Sequence, residues 1–400
     1  MARKRIHLAR ARRAAGYTQE DLAHVLGVDR STVGRWEGGE TEPQAWMQPK
    51  LARALGVSRT ELRAMLTSED ERRSPPASAP AGEFDPDRQR HLAAALTDAH
   101  RYLDVSVVDY FRRQFDMCTA TDGTHGSARA LPTVLGIVEV VQQHAREAKP
   151  EVRRHLLQVG ARGAEFVGWL YREGARPDRS LYWRDRAAEW ALESGDWPML
   201  GYILLKKSQS AWDERDGAQM LTLAQAAQEG PWNLPSLVHA EAAQQEARGL
   251  AMVGERIDVV EQKLDAARAW FDAAGDEERA DGALGAGYSE RLLQVQTAIC
   301  YCEVGQPARA VELYRDCLAG DVFSYRDRGF FLSLLALALL QAGEPEEACE
   351  RAWAALAIAG RTDSKRTKRE LNRLCGGLGA WGSHRSDVRA LGEAVRTTCS

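Results

Sequence analysis

The chain has no long apolar run and no concentration of cysteines. No apolar stretch reaches ~18 residues, the length that a helix needs to cross a bilayer. The charged N-terminus also lacks the apolar core of a secretion signal. The seven cysteines are an odd number scattered along the 400 residues, which is typical of reduced thiols. We therefore expect a cytoplasmic protein without a membrane partner.

Sequence patterns for catalysis and metal binding are also missing. The nine histidines show no His-x-x-x-His spacing, which argues against a metal site. The glycine-rich residues 282–287 follow an acidic segment rather than a strand, so we interpret them as a loop between helices, not as a phosphate loop. No serine or cysteine has the surroundings of a nucleophile elbow. We predict no enzyme activity, no catalytic residues, no metal and no cofactor.

Charge is distributed unevenly along the chain. The net charge of the whole chain is only −4. Residues 1–66, however, hold twelve Lys and Arg against seven Asp and Glu, a balance of +5, so the remainder carries about −9. A basic segment joined to a larger acidic one is typical of a nucleic-acid-binding module attached to an acidic domain.

Residues 18–37 have the pattern of two short helices joined by a Gly-Val turn. Thr18 and Asp21 form a capping box at the start of the first helix, and Gly27 provides a permissive backbone for the turn. At about 100° per residue, Val33 and Trp36 of the second helix point towards the core. The opposite face is polar and suits a major groove. The predicted DNA contacts are Gln19, Arg30, Ser31, Thr32, Gly34 and Arg35.

These contacts have different predicted roles. Arg30 or Arg35 is suited to bidentate bonds with guanine, and Gly34 permits close approach to the duplex. Gln19 is placed to bond a phosphate through its amide or to brace Arg30. Arginines on an exposed helix face usually just meet solvent, so it is the joint pattern that favours DNA binding.

The segment resembles the helix-turn-helix of lambda-type phage repressors and the wider Xre family. The resemblance covers residues 3–66 and rests on Thr18-Gln19-Glu20-Asp21-Leu22-Ala23, Gly27-Val28, Ser31-Thr32-Val33 and Arg35-Trp36-Glu37-Gly38-Gly39. It implies a five-helix DNA-binding domain that reads bases with Arg30, Ser31 and Arg35 and holds a phosphate with Gln19. Helix four must start near Trp46 or later, because Pro49 would break a helix that began at Pro43.

The rest of the chain divides into a tether and a long helical region. Residues 67–87 are rich in Pro, Ala and Ser and predict an extended linker. We expect a helical connecting or dimerisation segment at 88–150 and an array of helical hairpins at 151–400. Small residues recur at similar offsets around Gly305 and Gly343, with weaker echoes at Gly195 and Gly254. This pattern resembles the tetratricopeptide repeat, so the predicted fold is all-α: a lambda-repressor-like domain followed by an α-solenoid.

Two features of this region suggest binding surfaces. Six of the eleven tryptophans lie between residues 169 and 232, and a groove lined by them would suit a peptide or a flat small molecule. The alternative is that the rings wedge between helices. The candidate ligand contacts are Trp169, Trp183, Trp190, Tyr202 and Trp212. The basic run at 361–373 is expected to face solvent, or to contact DNA or an acidic partner.

An Xre-type reader followed by such repeats resembles a class of bacterial regulators that includes the peptide-sensing regulators of Gram-positive bacteria. The high Ala and Arg content is similar to that of actinobacterial relatives. We predict a sequence-specific transcriptional regulator that binds double-stranded DNA as a homodimer on an inverted repeat, controlled by a peptide or small-molecule effector. The alternative is an interaction scaffold, in which the repeats bind a partner protein and the DNA module only localises it.

Overall fold

The computed structural model describes residues 6–15, 17–38, 41, 43, 47–55, 62, 66, 86–125, 127–320, 322–382 and 386–399. Over these ranges the chain forms 21 helices and no strand, so the all-α prediction is confirmed. The helices belong to two compact units, Met1–Asp85 and Pro86–Ser400. We call the first the N-terminal unit and the second the helical body.

The described part of the N-terminal unit contains four helices with one common core. They are α1 Ile6–Ala14, α2 Gln19–Leu26, α3 Arg30–Gly38 and α4 Gln48–Leu55. The buried apolar side chains include Leu8, Leu22, Leu26, Val33, Trp36, Leu51, Leu55, Leu62 and Leu66. Because α4 begins at Gln48, Pro49 falls in its first turn, where a missing N–H leaves no carbonyl unpaired.

Two predictions for this part of the chain concern residues outside the described ranges. The cap expected at Ser58 for a fifth helix lies outside the described residues, as does the linker at 67–85. Residues 86 and 87, which we expected at the end of the linker, begin the first helix of the body.

The described part of the helical body contains seventeen helices in simple succession. These helices are α5 Pro86–Thr97, α6 Ala99–Tyr102, α7 Val105–His125, α8 Ser127–His144, α9 Pro150–Glu173, α10 Pro177–Ser194, α11 Trp197–Asp213, α12 Gly217–Glu229, α13 Ser236–Met252, α14 Ile257–Ala273, α15 Asp276–Arg279, α16 Glu290–Glu303, α17 Pro307–Leu318, α18 Tyr325–Ala342, α19 Pro345–Thr362, α20 Lys365–Gly382 and α21 Ser386–Cys399. Most neighbours in sequence pack against each other, as expected for helices joined by short turns.

Four glycines with positive φ lie at the turns of the hairpins. The φ angle is 68° at Gly195, 89° at Gly254, 80° at Gly305 and 84° at Gly343. Glycine adopts this left-handed region without the steric cost of a Cβ, which makes it the usual residue after the last turn of a helix. The pattern of small residues in the sequence pointed to these four glycines, so the prediction of helical hairpins is confirmed. Their assignment to the tetratricopeptide class stays a prediction.

Alanines form the contact inside the last hairpins. Ala298 and Ala310 are fully buried between α16 and α17, and Ala336, Ala348 and Ala352 are fully buried between α18 and α19. Side chains that end at Cβ allow two helices to approach closely, while larger residues fill the space between hairpins. One hydrophobic core runs through these helices and into α20 and α21.

The start of the body shares its core with the hairpins that follow. A single cluster of buried apolar residues runs from Ala95 to Ile203 and includes members on both sides of residue 150. The predicted boundary at 150 therefore does not separate two cores. The dimerisation role proposed for residues 88–150 stays a prediction.

Helices from the beginning of the body also contact helices from its end. Helix α7 packs against α18, and α9 packs against α20. The body is therefore closed by contacts between segments that are far apart in the sequence.

Replacing Gly249 with alanine should destabilise the body. A Cβ at Gly249 of α13 would lie 2.9 Å from the backbone N and Cα of Leu221 on α12, so one helix must shift. We expect the free energy of unfolding to fall by about 1–3 kcal/mol, measured by urea denaturation followed by circular dichroism.

The matched control is Gly376→Ala in α20. A Cβ there would meet nothing within 4 Å. This variant should gain roughly 0.5–1 kcal/mol, because alanine favours the helix. Equal stability of the two variants would contradict the close contact between α12 and α13.

Candidate nucleic-acid interface

Hydrogen bonds fix the turn that leads into α3. The capping box is present at the start of α2: the Asp21 N–H donates to Thr18 Oγ1 over 3.1 Å, and the Asp21 carboxylate accepts from the Thr18 N–H over 2.9 Å. The hydrogen bonds from Thr18 hold the pKa of Asp21 below its usual value. At the other end of α2, Gly27 has a φ of 73°, and its N–H donates to the carbonyls of Ala23 and His24.

Helix α3 buries one side and exposes the other. Val33 and Trp36 are 1% and 5% exposed and face the core, as predicted. Five of the six predicted DNA contacts lie on this helix. Arg30, Ser31 and Arg35 are exposed, and Thr32 and Gly34 are half-buried.

Two details of this face bear on DNA binding. The Arg35 guanidinium donates to Thr32 Oγ1 over 3.3 Å, so the two side chains point in the same direction. A Cβ built on Gly34 would meet no atom within 4 Å. The packing of the described residues therefore gives no reason for a glycine at this position.

Gln19 makes a different contact from the one expected. Its Nε2 donates to Glu37 Oε2 over 2.7 Å, so its described partner is Glu37 at the end of α3 rather than Arg30. A glutamine amide nitrogen has two hydrogens. The bond to Glu37 orients the side chain and leaves the second N–H for another acceptor.

The ion pair between Arg12 and Glu37 was not found from the sequence. Arg12 Nε donates to Glu37 Oε1 over 2.7 Å, and both side chains are about nine-tenths buried. Arg12 also donates to the Tyr17 carbonyl over 2.7 Å. This cluster joins α1, α2 and α3. Arg12 stands among other arginines on α1, and nothing in the local pattern sets it apart.

The predicted aromatic groove is not formed as expected. Trp183, Trp190 and Trp212 are 8%, 6% and 3% exposed and belong to the packed interior. Their rings are enclosed by neighbouring helices, which corresponds to the wedging alternative. A role in ligand contact is therefore not retained for these three residues.

The two remaining aromatic residues, Trp169 and Tyr202, are half-buried beside cations. Trp169 Nε1 donates to the Asp122 carboxylate over 3.0 Å, and the guanidinium of Arg366 lies 4.8 Å from its ring centre. The ammonium of Lys206 lies 4.7 Å from the ring centre of Tyr202. Neither contact resembles an open binding face.

Part of the basic run at the start of α20 lies inside the body. Arg366 and Lys368 are buried, and Arg366 Nε lies 3.0 Å from Glu173 Oε2 of α9. Arg369 donates to Asp213 of α11 over 2.7 Å. The expectation that this run faces solvent or contacts DNA is therefore wrong for these three side chains. Glu173 and Asp213 are more than 150 residues away from Arg366 and Arg369 in the sequence, so no local pattern could reveal these two pairs, whereas Lys368 pairs locally with Asp363 over 2.6 Å.

Further buried pairs extend this ionic network. Arg326 of α18 donates to the Asp122 carboxylate of α7 over 2.5 Å, and Arg172 of α9 donates to Asp213 over 2.5 Å. Burial alone would raise the pKa of Asp213, but the charges of Arg172 and Arg369 and the hydrogen bond from Arg172 lower it to about 2. The network therefore links α7, α9 and α11 to α18 and α20 through ion pairs.

Comparisons with known proteins identify the class of the N-terminal unit. The sequence model of a helix-turn-helix domain family matches residues 5–65. The chain thus carries an N-terminal helix-turn-helix domain, formed by the α2–turn–α3 arrangement described above.

One particular relative is similar over the same region. The chain is 39% identical over 51 residues to the SPbeta prophage-derived uncharacterized HTH-type transcriptional regulator YonR of Bacillus subtilis (strain 168). The similarity covers 13% of this chain and 47% of that protein, so the chain spans about half the length of this curated relative. No solved structure gives a significant match.

Two other kinds of feature are absent from the described part of the chain. Within the described ranges, no group of three or more His, Cys, Asp and Glu side chains is arranged to hold a metal ion. None of the helices described for this chain combines the length and the apolarity that a bilayer crossing needs.

Removing the Glu37 carboxylate should loosen the N-terminal unit. In Glu37→Ala the buried guanidinium of Arg12 loses its partner, which costs about 3–5 kcal/mol. We expect faster hydrogen exchange at the amides of α1, α2 and α3 in the full chain, measured by mass spectrometry.

The control for this variant is Glu20→Ala, which removes an exposed carboxylate from α2. It should leave exchange unchanged. The double variant Arg12→Met with Glu37→Leu should restore much of the protection, because neither charge then remains buried. Unchanged exchange in Glu37→Ala would show that the pair does not hold the three helices.

The low pKa of Asp213 predicts a loss of stability in acid. A carboxyl with a lower pKa in the folded than in the unfolded chain stabilises the fold above about pH 4, and this contribution is lost as the pH falls towards 2. Protonation of Asp213 should lower the free energy of unfolding by about 2 kcal/mol between these pH values. Urea titrations at several pH values measure this change.

The variant Asp213→Asn should be less stable at pH 7 and should show a shallower decline below pH 4. Asp178→Asn, at an exposed carboxylate on α10, should behave like the parent chain. If the free energy of unfolding fell in parallel with pH in all three proteins, Asp213 would not be the cause of the loss of stability in acid.

Proposed function

We propose that this chain is a sequence-specific DNA-binding transcriptional regulator. The observation that carries the proposal is the exposed face of α3, which presents Arg30, Ser31 and Arg35 from a helix-turn-helix. The second helix of this motif enters the major groove, where arginine reads guanine through bidentate hydrogen bonds. The positive balance of residues 1–66 supports attraction to phosphate. YonR, the similar protein, is named as a transcriptional regulator.

Each contact has a role in this proposal. Arg30 and Arg35 read base edges, and the bond between Arg35 and Thr32 orients the Arg35 guanidinium. Gln19, held by Glu37, donates its second N–H to a phosphate and so sets the angle at which α3 enters the groove. The open space beside Gly34 lets the helix approach the duplex closely.

The helical body is proposed to dimerise and to sense a small-molecule or peptide effector. One helix-turn-helix offers little contact area, and two-fold dimers bind half-sites about one helical turn apart. The body carries the acidic excess of the chain, which makes it unsuited to bind DNA itself. We place the protein in the cytoplasm, since no disulfide links its described cysteines.

The variant Arg30→Ala should lose preference at one base pair of each half-site. A bidentate arginine–guanine contact is worth about 1–3 kcal/mol of discrimination. The operator sequence is first selected from a randomised duplex pool with the parent chain. Binding of both proteins to all single-base variants of that sequence is then compared at fixed salt.

The charge-matched control is Arg13→Ala, at an exposed position on α1. It should weaken binding to all duplexes alike without relaxing base preference. Unchanged selectivity in Arg30→Ala would remove Arg30 from base reading. If the parent chain enriched no sequence, specific binding would be overturned. If it enriched a single half-site instead of two, dimeric binding would be overturned.

A further inference from the structure

An open cavity lies where two turns of the body meet. It has a volume of about 710 Å³ and sits between the α8–α9 turn and the end of α10. Arg146, Arg153 and Arg154 form much of its wall, and Leu157 and Leu192 form an apolar part. This volume falls within the range of small-molecule sites, roughly 300–1,000 Å³.

The charge of this cavity is positive. Glu193 is the one carboxylate of its lining, against three arginines. Arg153 pairs with Glu193, and Arg154 Nε donates to the Ser194 carbonyl over 3.1 Å. Arg146 is exposed and has no hydrogen-bond or ion-pair partner in the described part of the chain, so its guanidinium is open to a ligand. Because one carboxylate cannot balance three guanidinium groups, the cavity favours an anion.

The wall of the cavity also includes the start of a helix. Helix α9 begins at Pro150 on the wall of the cavity with Glu151 in its first turn, and its N-cap residue Lys149 makes no side-chain capping bond. The first N–H groups of a long helix attract anions when no side chain caps them.

A second cavity adjoins the first across Gly195. It has a volume of about 280 Å³, and Arg112 and Arg162 stand in its wall beside Phe115 and Val159. Asp196 also lines it, Arg112 pairs with Asp109, and Arg162 donates to the Gly282 carbonyl over 2.9 Å, so this second cavity adds space rather than free cations. A bare inorganic ion would leave most of this space empty.

We propose that this arginine-walled cavity binds a phosphorylated small molecule of about nucleotide size. Guanidinium groups bind phosphate through paired, charge-assisted hydrogen bonds, and the exposed side chain of Leu192 offers an apolar surface to the organic part. The inference deepens the proposed effector control and rests on it for its biological role. It moves the expected effector site from the buried tryptophans to the α8–α9 and α10–α11 turns.

The test measures binding to the full chain in the absence of DNA. Isothermal titration uses ADP, pyrophosphate, inorganic phosphate and adenosine as probes. We expect saturable binding of ADP with a Kd below about 1 mM, weaker binding of pyrophosphate, and no binding of adenosine. In Arg146→Ala the affinity for ADP should fall by about tenfold or more, because a charge-assisted hydrogen bond is lost.

The matched control is Arg256→Ala, which removes an exposed arginine that pairs with Asp258. It should bind ADP like the parent chain. The proposal is overturned if no phosphorylated probe binds, if adenosine binds as well as ADP, or if Arg146→Ala and Arg256→Ala bind ADP equally well. Because DNA is absent, failure here leaves the proposed DNA binding untouched, and failure to select an operator leaves this result standing.

Discussion

A guanidinium group that leaves water needs strong acceptors, most often a carboxylate, because an unpaired buried charge costs several kcal/mol. In the helical body this requirement operates over long distances. Arg326 meets Asp122, Arg366 meets Glu173, and Arg369 meets Asp213. The arginines come from α18 and α20, and the acids come from α7, α9 and α11. Any rearrangement that separates these helices must expose or orphan several charges together.

The N-terminal unit uses the same interaction over a short distance. The pair between Arg12 and Glu37 joins α1 to α3 and also holds Gln19 of α2. Arg30 and Arg35 lie on α3 as well, yet both are exposed. Arginine thus has two roles in this unit, and the presence of a nearby carboxylate decides between them. Composition alone does not separate the arginines that stabilise the helices from those that face outwards.

Features that depend on neighbouring residues could be predicted from the sequence. The capping box of Thr18 and Asp21, the left-handed turn at Gly27 and the late start of α4 all follow from a few adjacent residues. The glycines that end the hairpins follow in the same way.

Features that depend on distant partners could not be predicted. The basic run of α20 looked solvated because its partners, Glu173 and Asp213, lie 150 to 200 residues earlier. The tryptophans suggested an aromatic groove because their spacing in the sequence does not reveal which helix covers each ring. The cavity beside Arg146 depends on two turns that meet only in the folded chain. In each case the missing information is which segments touch.

The contacts of α7 with α18 and of α9 with α20 have a consequence for how this body tolerates change. In an open array each repeat touches only its neighbours, so repeats are added or removed at little cost and unfolding spreads from the ends. Here helices from the early part of the body hold helices from its late part. Inserting or deleting one hairpin would shift one end past the other and break the closure. The number of hairpins is therefore fixed by geometry, and the body should unfold as one cooperative unit rather than by fraying.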